Sequence, residues 1–321
     1  MATLEFIITS TLNSVLLGML YFLMAAGLTL IFSMMGVLNF AHASFYMLGA
    51  FLGYQISQWA GFFPALFLAP LIAGAIGALV ERFGLRTVHK YGHVAELLFT
   101  FGLAYVIEEV IQMIWGKLQV DYRKPEILDF SAFTILGTNY PAFRVFMLVF
   151  SVLIFIGLML MLTRTRAGLI IQASLTHPNM VGMLGHNVPR VFMLVFGLGT
   201  ALAAVAGALN GANQVTQANM AALLGPILFV IVVVGGLGSL LGGFVASLLI
   251  AFVVIFATGS DASLSKIVPW LTGVQFQPAS PSLLNDVWTV TLAQIAPLLP
   301  YLMLVLVLIF RPTGLFGTRD T

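Results

Sequence analysis

Charge is what this sequence has least of: Asp, Glu, Lys and Arg make up 7% of 321 residues, while 60% are hydrophobic. An ordinary soluble domain carries about 25% charged residues, and no soluble fold hides so much apolar surface. Residues 6–80 and residues 191–260 contain no charged side chain at all. Each stretch is long enough to cross a bilayer more than once, because one helical span needs about 20 apolar residues. Cysteine is absent, which excludes disulfides and thiolate metal sites. The sequence has no G-x-x-x-x-G-K-[ST] phosphate loop, no H-E-x-x-H and no G-x-S-x-G, so neither nucleotide hydrolysis nor familiar hydrolase chemistry is visible in it. Energy for any work must then come from a partner or a gradient. The basic residues are scattered and the formal net charge is +2, a pattern without the basic run that nucleic acid would require.

What is present reads as one all-α polytopic membrane domain over residues 1–321. Lipid offers the backbone no hydrogen-bond partners, and the uncharged runs lack the alternation of a barrel strand. Spans are predicted near 6–33, 43–59, 62–80, 96–115, 142–163, 191–212, 226–257 and 290–310. The seventh is too long for one straight crossing and holds Gly235, Gly236, Gly238, Gly242 and Gly243, so it is expected to be one helix or two joined at a break, for eight or nine in all. Met1 to Glu5 carry no basic segment, and the apolar run behind them reads as a retained helix rather than a cleaved signal.

Lys and Arg near span ends stay on the cytoplasmic side. Arg82, Arg86 and Lys90, then Arg164, Arg166 and Arg190, then Arg311 and Arg319 mark the inner side. Lys117, Arg123, Lys124, Arg144 and Lys266 fall outside. Trp59, Trp115, Trp270 and Trp288 all fall at the outer interface, where an indole favours the boundary between lipid and water. The N-terminus is therefore expected outside and the C-terminus inside, with outer loops near 116–141 and 258–289. Residues 28–53 and 228–253 share an order of apolar helix, glycine-rich break and apolar helix. That order fits an internal repeat or simply small residues at tight helix contacts.

The cytoplasmic loop of about residues 164–190 is the longest inner one. Thr176, His177 and Pro178 signal a helix start and Gly185 a stop, so a helix too short to span is expected between them. Flanked by Arg164, Arg166 and Arg190, it suits receipt of force from a motor protein; the bland alternative is a solvated connector. Among buried polar candidates, Glu108 and Glu109 lie inside the run 96–115, where an ionised carboxylate costs roughly 2.5–3.5 kcal/mol unless paired, neutral or wet. Pairing of one of them with Arg144 is the structural alternative. Asn39 and His42 stand at the first break as caps or as elements of a path. Asn210, Asn213, Gln214 and Gln217 precede Gly225-Pro226 and read as a re-entrant or outer-gate segment, or else as an ordinary polar loop. No second histidine stands at ligand spacing beside His42, and no metal site is expected.

Four motifs carry a resemblance over nearly the whole chain. They are Gly36-Val37-Leu38-Asn39-Phe40-Ala41-His42; Arg166-Ala167-Gly168 running on to Met183-Leu184-Gly185-His186-Asn187-Val188; Val234-Gly235-Gly236-Leu237-Gly238-Ser239; and Arg311-Pro312-Thr313-Gly314-Leu315-Phe316-Gly317. Together they resemble the inner-membrane permease of branched-chain amino acid ABC transporters. The resemblance implies a non-catalytic permease in a bacterial inner membrane. It would be paired with a second, related permease, two cytoplasmic ATPases that hold ATP and Mg, and a periplasmic solute-binding protein; this chain itself would bind no cofactor. It further implies that the segment around 166–188 docks on the ATPase, through Arg164, Arg166, Gly168, Thr176, Pro178, Met183, Gly185 and Arg190. Ser174, Thr176, His177 and Pro178 depart from the acidic or amide residues frequent there. The implied solutes are branched-chain amino acids or related small organic molecules. The path or gate candidates are Asn39, His42, Glu108, Glu109, Asn210, Asn213, Gln214, Gly235 and Gly236. An ion-coupled secondary transporter using Glu108 and Glu109 is the first rival reading, and an intramembrane enzyme the second, the latter without a paired catalytic set in the sequence.

Overall fold

The computed structural model describes residues 2–36, 38–135, 137–263, 265–266, 268 and 288–317. Val37, Trp270, Arg319 and most of the expected outer loop 258–289 lie outside the described residues. In chain order the membrane helices are α1 (Ala2–Met35), α2 (His42–Ala60), α3 (Phe62–Val80) and α4 (His93–Trp115). After α4 come a β-hairpin of β1 (Ser131–Ile135) and β2 (Thr138–Pro141) and then α5 (Ala142–Arg164). Two short helices follow, α6 (Arg166–Thr176) and α7 (Pro178–Met183). The remaining helices are α8 (Val188–Asn213), α9 (Met220–Gly235), α10 (Leu240–Thr258) and α11 (Leu292–Phe310).

Seven of these helices are long and apolar enough to cross a membrane. Of the other four, α6 and α7 are short connecting helices, and α9 and α2 fall short for different reasons. Helix α9 has only 16 residues, and α2 trades apolar character for His42, Ser44 and small residues because it is packed on by other helices rather than by lipid. The run 226–257 resolves into two helices, α9 and α10. Their break falls at Gly236 to Ser239, where Gly236 has φ +103° and the Ser239 hydroxyl accepts the Gly242 N–H at 3.0 Å to start α10. Gly242 and Gly243 are thus helical, not part of the break. Helix α1 ends at an analogous point, with Gly36 at φ +66°.

Helix α8 is the axis of the bundle, with α1, α2 and α3 laid directly on it. Lipid tails are as apolar as leucine, so burying apolar surface does little to bring membrane helices together; close van der Waals contact does more. The contact is close because the facing residues are small. A Cβ on Gly207 would stand 1.9 Å from the Tyr46 carbonyl oxygen, and one on Gly27 would stand 2.3 Å from that of Gly199. Helices α4, α5 and α11 form the periphery and turn exposed leucine, phenylalanine and valine outward.

The connection between α1 and α2 does not stay at the membrane edge. The His42 ring Nε2 donates to the Met24 carbonyl at 2.9 Å, and Met24 lies 11 residues, about 16 Å, before the end of α1. Residues 38–41 therefore lie back beside α1, and α2 starts at membrane depth. Asn39 holds this return, its Oδ1 accepting the Ala41 N–H at 3.0 Å.

Contacts between distant segments define the two ends. At one end, Arg86 reaches the Pro189 carbonyl at 2.7 Å, and the tail beyond α11 lies on the α9–α10 break, Leu315 N–H to Val234 oxygen at 2.8 Å and Phe316 N–H to Gly235 oxygen at 3.0 Å. At the other end Trp115 donates to Gln55 at 2.8 Å, Val120 bridges Thr216, and Arg144 donates to Asn13 at 3.2 Å. The hairpin sits at this second end, joined to α1 by a hydrogen bond from Thr138 to Glu5. There too lies Tyr122, whose hydroxyl burial pushes well above the usual phenol range.

Candidate functional site

A cavity of about 610 Å³ opens at membrane depth among α1, α2, α4, α9 and α11 and the 38–41 return. Its position follows from two interruptions in the helices around it. The return places Asn39, Phe40 and His42 in its wall. Pro226, inside α9, has no N–H to offer the Ala222 carbonyl four residues earlier, and both line the cavity. Phe40 stacks on Phe229 with ring centroids 5.3 Å apart and meets Phe101 edge-on at 6.3 Å. Tyr105 and Tyr301 extend this aromatic lining.

Two wall residues hold polar atoms without a partner among the described residues. The Asn39 Nδ2 donor is buried and unpaired, as is Nδ1 of His42. The Met24 carbonyl can only accept, so Nε2 of His42 carries the proton and the neutral ring leaves Nδ1 an acceptor. An unsatisfied buried polar atom costs about 1–3 kcal/mol, a charge on stability that a chain carries most readily where a polar guest is received.

Glu108 stands between this cavity and a second space of about 190 Å³ bounded by Gln112, Lys117, Gln217 and Asn219. Gln112 donates to its carboxylate at 3.3 Å. Glu109, one position on, faces away from both spaces and is exposed. The alternative of a glutamate paired with Arg144 does not hold: Arg144 sits on α5 and donates to Asn13, because α1 and not α4 is the neighbour of that end of α5.

The amide-rich stretch divides. Asn210 is buried inside α8 and donates to the Tyr46 hydroxyl at 2.7 Å, locking α8 to α2. Asn213 closes α8, and the Gln214 N–H bonds back to the Asn210 carbonyl at 2.8 Å. Among the described residues, Gln217 is the one of the four amides that lines either space, the smaller of the two. Residues 214–219 form a short connection between α8 and α9. Gly235 and Gly236 lie under the C-terminal tail, away from the cavity.

The segment 164–190 contains two helices where one is expected. Thr165 caps α6, its hydroxyl accepting the Gly168 N–H at 3.1 Å, and Pro178 opens α7 as its first residue. Gly185, at φ +87°, ends the segment. Gly168 is buried against α5; a Cβ there would stand 2.2 Å from the Met161 oxygen. Arg164, Arg166, Thr176, Pro178, Met183 and Arg190 are exposed, and the three arginines form no ion pair among the described residues. Beside them Met183 is 83% exposed and Leu184 78%, apolar surface that marks an interaction site where it clusters outside the lipid zone.

Two carboxylates that sequence reading passed over are the most buried of all. Glu81 forms a two-pronged pair with Arg86, 2.6 Å at its shorter arm, inside a π-turn that prolongs α3. Glu96 is fully buried and accepts from His89 and, at 3.4 Å, from His93. The spacing His93-x-x-Glu96 at a helix start was the one available signal, since residues three apart on a helix share a face.

A family model described as "Branched-chain amino acid transport system / permease component" matches residues 10–309. Among curated proteins, the high-affinity branched-chain amino acid transport system permease protein BraD of Pseudomonas aeruginosa is 26% identical, covering 96% of this chain and 95% of its own length. The corresponding Escherichia coli protein, LivH, is 25% identical over 96% and 94%. A probable branched-chain amino acid transport permease protein LivH of Methanocaldococcus jannaschii is 29% identical over 73% and 76%. No solved structure matches the chain. With the match running through every membrane helix, from α1 to α11, the chain belongs to the permease-component family of branched-chain amino acid transport systems.

Proposed function

We propose that this chain conducts a branched-chain amino acid, or a small organic solute of related chemistry, across a bacterial inner membrane as the non-catalytic permease of an ABC importer. The 610 Å³ cavity carries the reading: it joins an apolar, aromatic wall to a few polar groups, the lining expected for a solute with one polar and one hydrocarbon part. A second, related permease completes the membrane part, two cytoplasmic ATPases hydrolyse ATP, and a periplasmic binding protein delivers solute. In this reading the N-terminus lies outside, the C-terminus in the cytoplasm, and α6–α7 with Arg164, Arg166 and Arg190 receive the ATPase stroke. The exposed Met183 and Leu184 supply the apolar centre that such docking needs.

The test is transport by the chain alone and with its partners. Uptake of labelled leucine against a gradient is expected only when ATPases, ATP and binding protein are all present. Uphill movement by the chain reconstituted by itself would overturn the proposal. A variant with Arg164→Glu, Arg166→Glu and Met183→Asp should lose the ATPases on co-purification; capture at wild-type strength would remove α6–α7 from the mechanism.

A further inference from the structure

The cavity's charge is one-sided. Among its described lining residues Glu108 is the only charged side chain, with no lysine or arginine to compensate it. The aromatic rings around it, Phe40, Phe101, Tyr105, Phe229 and Tyr301, present electron-rich faces that attract cations and N–H groups. The unpaired Nδ1 of His42 is a further acceptor when the ring is neutral. By contrast, the smaller space on the other side of Glu108 contains both signs, with Lys117 among its walls. A solute moving between the two spaces leaves an environment of mixed charge for one whose single full charge is negative.

From this arrangement we infer that Glu108 is a charge filter: the cavity takes solutes that present an ammonium or N–H-rich head group and turns back those with net negative charge. The inference rests on the reading of the cavity as part of the solute path. A zwitterionic amino acid passes because its ammonium meets Glu108 and the aromatic wall, while its carboxylate has the Asn39 amide donor available. Neutral amides pass for the same reason. A carboxylic acid without an amino group brings no cation to meet Glu108, and one amide donor does not offset charge repulsion in a site of low dielectric, where unit charges interact far more strongly than in water.

A binding protein imposes its own selectivity, so the test avoids it. The chain has no cysteine, and Ala104→Cys places a lone thiol one helical turn from Glu108 on the same face of α4. Its labelling by a trimethylammonium-ethyl methanethiosulfonate and by a sulfonatoethyl methanethiosulfonate of similar size is followed by mass spectrometry of this chain, in vesicles carrying the whole assembly. Each rate is referred to that of a free thiol. The cation should be preferred, and Glu108→Gln should reduce that preference by on the order of tenfold. Glu108→Asp should retain it, which separates loss of charge from loss of fold. Ala222→Cys, across the cavity on α9, should respond in the same direction. If both reagents react but their ratio ignores Glu108→Gln, the filter is refuted while the cavity as a path stands. If neither reagent reacts at either position, the cavity is closed to solutes, and both readings fall.

Discussion

Replacing Gly236 with alanine tests how the C-terminal tail and the α9–α10 break hold one another. The residue has φ +103°, a conformation that costs a side-chain-bearing residue about 1–3 kcal/mol. Its new Cβ would also stand 2.4 Å from the Gly317 nitrogen and 2.8 Å from Gly317 Cα, both backbone atoms that cannot rotate away. Relief requires the tail to lift, which breaks the Leu315-to-Val234 and Phe316-to-Gly235 bonds at about 0.5–1.5 kcal/mol each. Gly236→Ala should therefore lower unfolding free energy by about 2–6 kcal/mol, measured by SDS titration in mixed micelles with circular dichroism. The decisive comparison is a cycle with a chain stopped after Pro312. Without the tail only the φ strain remains, so the same substitution should cost about 1–3 kcal/mol less than in the full chain. A cost identical in both backgrounds would mean that the tail is not seated on the break, and the explanation would fail.

Four further outcomes are expected. Arg86→Met leaves Glu81 buried without its partner and should destabilise the chain by roughly 3 kcal/mol, and adding Glu81→Gln should recover most of the loss in the same titration. Asn210→Leu and Tyr46→Phe each break one buried interhelical hydrogen bond; a double-mutant cycle should return a coupling of about 0.6 kcal/mol, the usual membrane value, and a coupling of zero would deny the bond between α8 and α2. Gly207→Val drives two methyl groups into the Tyr46 carbonyl and should abolish a folded, monodisperse species on size-exclusion chromatography, whereas Gly157→Val, with open space around it, should not. In the cysteine-free background, Lys90→Cys and Lys117→Cys should react with an impermeant maleimide from opposite sides of sealed vesicles, Lys117→Cys from the periplasmic side. Labelling of both from one side would overturn the topology.

The helices were legible because lipid imposes one strong rule, an unbroken apolar run. The break within 226–257 was legible too, since glycines interrupt it. Where that break falls was not, because Gly235, Gly236, Gly238, Gly242 and Gly243 look alike in sequence; only contact with the tail singles out Gly236. Helix α6 was missed because Arg166–Thr176 carries no strong start signal beyond Thr165, and its end is set by His177 before Pro178. Asn39, His42 and Glu108 were legible as polar residues in apolar surroundings, and the structure brings those three to one cavity. Phe101, Tyr105, Phe229 and Tyr301 were not, since an aromatic facing a cavity and one facing lipid have the same neighbours in sequence. Glu81 and Glu96 escaped because their partners, Arg86 and His89, lie at spacings that become neighbours only through the π-turn and the tight turn that end the α3 extension.

The seating of residues 315 and 316 on Val234 and Gly235 also orders events during synthesis. The turn between α9 and α10 leaves the ribosome some 80 residues before the segment that fastens it. Until residues 315 and 316 emerge, the α9–α10 turn lacks the two hydrogen bonds that fasten it. A chain released before residues 315 and 316 are made would carry all its membrane helices while lacking the latch that sets them.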